Sequence, residues 1–112
     1  MDEPKVMQCA PDFHLCPKFQ KTFSILGKKW NGLIIETLLN EGPLRFKNIS
    51  KAVNKCSDRV LVERLKELEA DGIVNRVTFD DSSLIQYQLT DKGLELEPIM
   101  SSVHTWANKW FD

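Results

Sequence analysis

The residues best suited to chemistry are three cysteines, Cys9, Cys16 and Cys56, and their settings differ. Cys16 stands immediately before Pro17 and Lys18. Pro17 suits a first helical position, so the Cys16 sulfur falls near a helix N-terminus, where unpaired amide groups and the helix dipole favour a thiolate. His14 and Lys18 add positive charge nearby. A thiolate is the form that adds to electrophiles and is oxidised, and that chemistry is expected here; burial as a small hydrophobe is the alternative use. Cys56 precedes Ser57 at the entrance of a helix, where modification would disturb that helix and a half-buried structural thiol is equally at home. Cys9 lies in the N-terminal tail as an accessory. An odd cysteine count without a CxxC pair suits neither a disulfide framework nor a zinc site, so reduced thiols are the default and no metal or cofactor is expected. Neither His14 nor His104 has an obvious carboxylate and nucleophile around it, which argues against a thiol peroxidase, a reductase or any other enzyme.

The elements that must position these residues follow from spacing. Ser57 is a good N-cap, Leu61, Leu65 and Leu68 repeat at helical spacing, and Gly72 closes the run. Ile73 to Phe79 and Leu84 to Leu89 are rich in β-branched and aromatic residues, and the turn composition of Asp80 to Ser83 between them makes a hairpin. Thr90 caps the next helix. Upstream, Phe19, Phe23 and Leu26 mark a helix after Pro17 that ends at Gly27; Trp30 to Leu39 reads as a core helix stopped by the turn Asn40 to Pro43. Phe46, Ile49 and Val53 make a short amphipathic helix, tightly joined to the one at Ser57, so the pair reads as a helix-turn-helix followed by a wing. The predicted fold is mainly α with a small β-hairpin. Residues 1–15 are expected as a flexible tail and 16–112 as one winged helix-turn-helix domain, with the recognition helix at about 57–71, the wing at about 73–89 and a terminal helix at about 91–111.

The chain of 112 residues allows one small core. Its net charge of −1 hides an uneven distribution. Between Lys28 and Lys66 nine Lys/Arg face four Asp/Glu, a local +5, while the rest carries −6. A basic centre attracts phosphate locally; a solvated charged face is the plain alternative. No apolar run approaches the roughly 18 residues of a membrane span, and the acidic, polar start does not resemble a signal peptide, so a cytoplasmic protein without membrane contact is expected.

The last helix carries Leu96, Ile99, Val103, Trp106 and Trp110 at steps of three and four, the seam spacing of helices that pack lengthwise. Such a stripe either folds back on the core or meets a partner. A homodimer is favoured, because DNA-reading helices usually act as symmetric pairs. Pro98, early in the run, marks a kink or a late helix start.

The segments FSILGKKWNGLII at Phe23 to Ile35, RFKNI at Arg45 to Ile49, LVERLKELEADGIVNR at Leu61 to Arg76, YQLTDKG at Tyr87 to Gly93 and the closing Trp106 occur in one order. Together they resemble the HxlR family of winged-helix transcriptional regulators, relatives of the MarR group, over about residues 16 to 110. The resemblance implies a dimeric bacterial regulator whose recognition helix enters the major groove while the wing lies near the minor groove or backbone. Carried onto this chain, it makes Ser57, Asp58, Arg59, Val62 and Glu63 the base-facing candidates. Arg59 suits a guanine edge, Glu63 a cytosine amine and Val62 a thymine methyl. Val62 stands where many members have a hydroxyl residue. Lys28, Lys29, Arg45, Lys47, Lys51 and Lys55 suit phosphate contacts, and Arg64 suits a structural tie. The wing departs from the family pattern, since Asp80 and Asp81 repel phosphate and leave Ser82, Ser83 or Gln86 as its contacts.

The same resemblance implies that Cys16, in its Cys-Pro-Lys step, is the sensor of a branch that responds to quinones, aldehydes, diamide or hypochlorite. A C-terminal partner cysteine is absent, which leaves alkylation of Cys16 or a bridge to Cys9 or Cys56 of either subunit. The expectation is therefore a dimeric repressor on a near-palindromic double-stranded DNA operator, released when small electrophiles such as quinones modify Cys16. Phe19 and Phe23 join the Leu96 to Trp110 stripe at the dimer interface. The alternative is a regulator controlled by a non-covalent ligand at the dimer interface, in an apolar pocket between the first helix and the dimer helix with Phe19, Phe23 and Trp106 as its walls.

Overall fold

The computed structural model describes residues 15–112. The flexible tail read over residues 1–15, with Cys9 and His14 in it, lies outside the described residues except for Leu15. Among the described residues nine elements follow one another: α1 Pro17–Leu26, α2 Asn31–Glu41, β1 Leu44–Arg45, α3 Phe46–Ala52, α4 Asp58–Ala70, β2 Val74–Phe79, β3 Ser82–Leu89, α5 Asp91–Leu94 and α6 Glu97–Trp110.

The core is assembled from the apolar faces of α2, α3 and α4 closed by the sheet. Ile34, Ile35, Leu38, Ile49, Leu61, Leu65, Leu68, Val74 and Leu89 are buried together with Val53, Cys56 and Ile73. Helix α4 is bounded by local chemistry. Ser57 accepts a hydrogen bond from the Val60 amide through its side chain at 3.2 Å, and Gly72 takes a left-handed φ of 76° beyond the last turn.

The sheet is antiparallel in the order β1-β3-β2. The hairpin of β2 and β3 therefore has a third strand, β1, which the sequence reading missed; Leu44 pairs with Tyr87 and Arg45 with Gln86. Two residues are too few to show a strand period, and Pro43 before them reads only as a turn. The pairing seats the start of α3 against the wing.

The terminal helix expected over about 91–111 is two helices. Thr90 caps α5 by accepting from the Gly93 amide at 3.1 Å, and the chain re-enters helix at Glu97 with Pro98 in the first turn. Gly93 lies so close to the Ile73 carbonyl that a Cβ would come within 2.3 Å of that oxygen, which pins α5 to the base of the wing. Neither α1 nor α6 contains a buried residue.

Candidate DNA interface and thiol site

Helices α3 and α4 present the basic surface. Arg45, Lys47, Lys51, Lys55, Ser57, Asp58, Arg59, Val62 and Glu63 are all exposed. Within this group the side chains have different engagements. Ser57 caps α4, and Asp58 accepts a hydrogen bond from the Ser50 hydroxyl at 2.8 Å, locking the start of α4 to α3. Arg59, Val62 and Glu63 have no such tie among the described residues and project from the first turns of α4, opposite the buried Leu61 and Leu65. Arg59 and Glu63 offer a donor fork and an acceptor, Val62 an apolar surface.

A notch between α3 and the wing is lined by Arg45, Phe46, Lys47, Ser82, Ser83, Leu84 and Ile85. Two cations and two hydroxyls thus share one concave surface, which suits a phosphate group. The β1–β3 pairing builds it, and no spacing in the sequence announces it.

Lys28 and Lys29 stand apart from that surface. Lys28 Nζ is 2.9 Å from Glu67 of α4, and Lys29 Nζ lies 5.2 Å from the Trp30 ring centroid. Arg64 donates from Nε to the Lys29 carbonyl at 3.0 Å and also approaches Glu67 at 3.5 Å. Trp30, next in this loop, has a left-handed φ of 81°, a conformation uncommon for a bulky residue. The α1–α2 loop is thereby clasped to the outer flank of α4.

Cys16 occupies the N-cap position of α1, is buried, and accepts a hydrogen bond from the Gln20 amide through its carbonyl at 2.9 Å. Its sulfur is disulfide-bonded. The default of reduced thiols therefore does not describe Cys16. Cys56 is a free, buried thiol. Burial pushes its pKa up, Asp58 adds to the rise, and Arg64 and Lys29 oppose it.

Most of the apolar stripe faces outward. Phe19, Phe23, Ile99, Val103, Trp106 and Trp110 are each about half exposed or more. Leu96 differs: it turns inward and packs on the core beside Met100, because it precedes α6. Phe19 and Phe23 pair with ring centroids 4.9 Å apart. A shallow apolar notch on α6 is lined by Pro98, Ile99, Ser102, Val103 and Trp106; Phe19 and Phe23 do not line it.

His104, which the sequence offered no partner, meets Glu36 across 68 residues of chain, with Nε2 2.5 Å from the Oε2 of Glu36. No group of three or more His, Cys, Asp or Glu among the described residues is arranged to hold a metal ion.

A helix-turn-helix with an exposed basic face, a three-stranded wing and two outward apolar helices defines a winged-helix DNA-binding regulator. The model of HxlR-like helix-turn-helix proteins matches residues 25–112, and the chain belongs to the HxlR family. The transcriptional regulator YvaP of Bacillus subtilis is 46% identical over 99 residues, 88% of this chain and 91% of that protein. The quinone-bound structure of YodB from B. subtilis superposes with a TM-score of 0.76 at 43% identity, covering 86% of this chain and 100% of that one. The oxidised form of the redox regulator HypR gives a TM-score of 0.76 at 31% identity, covering 85% of this chain and 98% of that one. The protein is a transcriptional regulator of a DNA-binding family rather than an enzyme. Among the described residues no helix is long and apolar enough to cross a membrane.

Proposed function

We propose that the protein is a dimeric repressor that binds a near-palindromic operator and releases it when Cys16 changes its covalent state. The observation that carries this reading is the placement of a disulfide-bonded Cys16 at the entrance of α1, the helix that also bears the outward Phe19–Phe23 pair. Arg59, Val62 and Glu63 read bases, with Ser57 and Asp58 at the helix entrance. Arg45, Lys47, Lys51, Lys55, Ser82 and Ser83 hold phosphates, and Lys28 and Lys29 add positive charge at the flank. The exposed faces of α1 and α6 meet their counterparts in a second copy. The work is done in the cytoplasm, where the DNA is.

Two covalent routes act at Cys16. In the first, the Cys16 thiolate adds to a ring carbon of a quinone; the C–S bond forms, the displaced electron pair moves to the carbonyl oxygen, and protonation yields an S-aryl hydroquinone. In the second, two thiols give two electrons and two protons to an oxidant such as hypochlorite, which leaves as chloride and water, and an S–S bond forms. Either product alters the start of α1 and hence the way the two copies meet. YodB bound to quinone and HypR in oxidised form are relatives whose chemistry supports both routes.

The test is operator binding by thiol-reduced protein before and after addition of a quinone. Wild type should release DNA, Cys16→Ser should retain it, and Cys9→Ser should still respond. Release by Cys16→Ser equal to wild type would move the sensor away from Cys16.

A further inference from the structure

Helix α6 contains no buried residue, yet it must hold a defined angle to α4 if two copies are to present two recognition helices at one separation. What ties it to the DNA-reading body is small. Leu96 and Met100 pack on the core at its start, and farther along the only cross-helix side-chain bond from α6 to α2 among the described residues is His104 to Glu36, at 2.5 Å. The bond crosses a cleft of about 190 Å³ lined by Glu36, Leu39, Asn40, Glu97, Met100, Ser101 and His104. The titratable groups facing that cleft are Glu36 from α2 and Glu97 and His104 from α6.

We propose that Glu36 and His104 are positioning residues for operator recognition, fixing α6 against the DNA-reading body and with it the separation of the two recognition helices. The inference rests on the dimer reading above. The 14 residues of α6 make a rod of about 21 Å, so a tilt of about 10° moves its far end by about 4 Å. That displacement is close to the ~3.4 Å rise of one base pair. The bond between the His104 ring and the Glu36 carboxylate sits part-way along that rod, so losing either partner frees α6 to settle at another angle. Solvent reaches both side chains, 58% for His104 and 26% for Glu36, so the effect belongs to geometry rather than to global stability.

The experiment uses the full chain and a duplex enriched by wild-type protein from a random pool, with its central spacer then lengthened or shortened by one base pair. Affinities are measured for all three duplexes, with the association state followed by sedimentation under the same conditions. Wild type should bind the altered spacers about fivefold or more weakly than the selected duplex. Glu36→Ala and His104→Ala should each lose most of that discrimination while sedimenting as dimers, and His14→Gln should keep it. Dimeric variants with wild-type spacing preference would overturn the inference and leave the dimer reading standing. A wild type that is monomeric both free and on DNA would overturn both.

Discussion

Arg64 and Lys29 are joined side chain to backbone: the Arg64 Nε–H donates to the Lys29 carbonyl at 3.0 Å, fastening α4 to the loop that follows α1. The same guanidinium approaches Glu67, which also holds Lys28. This small network ties the loop after α1 to the helix that presents Arg59, and Lys21 of α1 itself reaches Asp71, the C-cap of α4, at 3.5 Å.

Arg64→Ala should therefore lower stability by about 1–3 kcal/mol, since it removes a charged donor from a backbone carbonyl. Urea unfolding measures it. Arg64→Lys should not restore the loss, because an ammonium cannot reproduce the planar fork. A melt unchanged from wild type would show that water replaces the contact without penalty.

Arg59→Ala and Lys47→Ala should fail differently on DNA. Loss of a base-reading Arg59 should weaken specific binding by about 1–3 kcal/mol and relax sequence preference at one position. Loss of Lys47 from the notch with Ser82 and Ser83 should weaken specific and random duplexes alike and reduce the salt slope by about one. Equal losses on all sequences for Arg59→Ala would make it a phosphate contact.

Trp106 is 58% exposed in the single chain, so its truncation should spare the fold and strike association. Trp106→Ala is expected to cost about 2 kcal/mol or more of dimer affinity, the range of interface hot spots. Sedimentation should find folded monomers at concentrations where wild type is dimeric. A folded mutant that remains dimeric would place the interface on α1 alone.

Cys56 should be a slow thiol. Burial raises its pKa above the ordinary 9.0, so at neutral pH the folded protein should react with iodoacetamide more slowly than the urea-unfolded chain. The linkage has a definite sign: above pH 9 the unfolded thiol loses its proton while the folded one keeps it, so stability falls as pH climbs further. Peptide masses after timed alkylation check the first point, and urea midpoints at rising pH the second. Fast native labelling of Cys56 at neutral pH would contradict its burial.

Much of the architecture was legible because its signals are local. The Ser57 cap, the Leu61, Leu65 and Leu68 spacing and Gly72 delimit α4 within one continuous stretch, and the change to β-branched residues marks the wing. Where geometry is made by distant chain, the sequence carried no mark. The break before α6 was legible only in part: Pro98 marked a late helix start, which falls at Glu97, whereas the pressing of Gly93 against the Ile73 carbonyl and the inward turn of Leu96 exist only after folding. The same holds for the site. Exposure of Arg59, Val62 and Glu63 follows from the buried face of α4, whereas the pairing of Lys28 with Glu67 and of Glu36 with His104 exists only after folding.

The outward faces of α1 and α6 also bear on abundance. Two helices without a buried residue recover little of their ordering entropy while the chain is alone, so their firmness should grow with the number of copies nearby. Thermal midpoints should climb as the protein is concentrated. In a cell, scarce regulator would be both less paired and less durable, so occupancy of an operator would rise more steeply than the supply of chains.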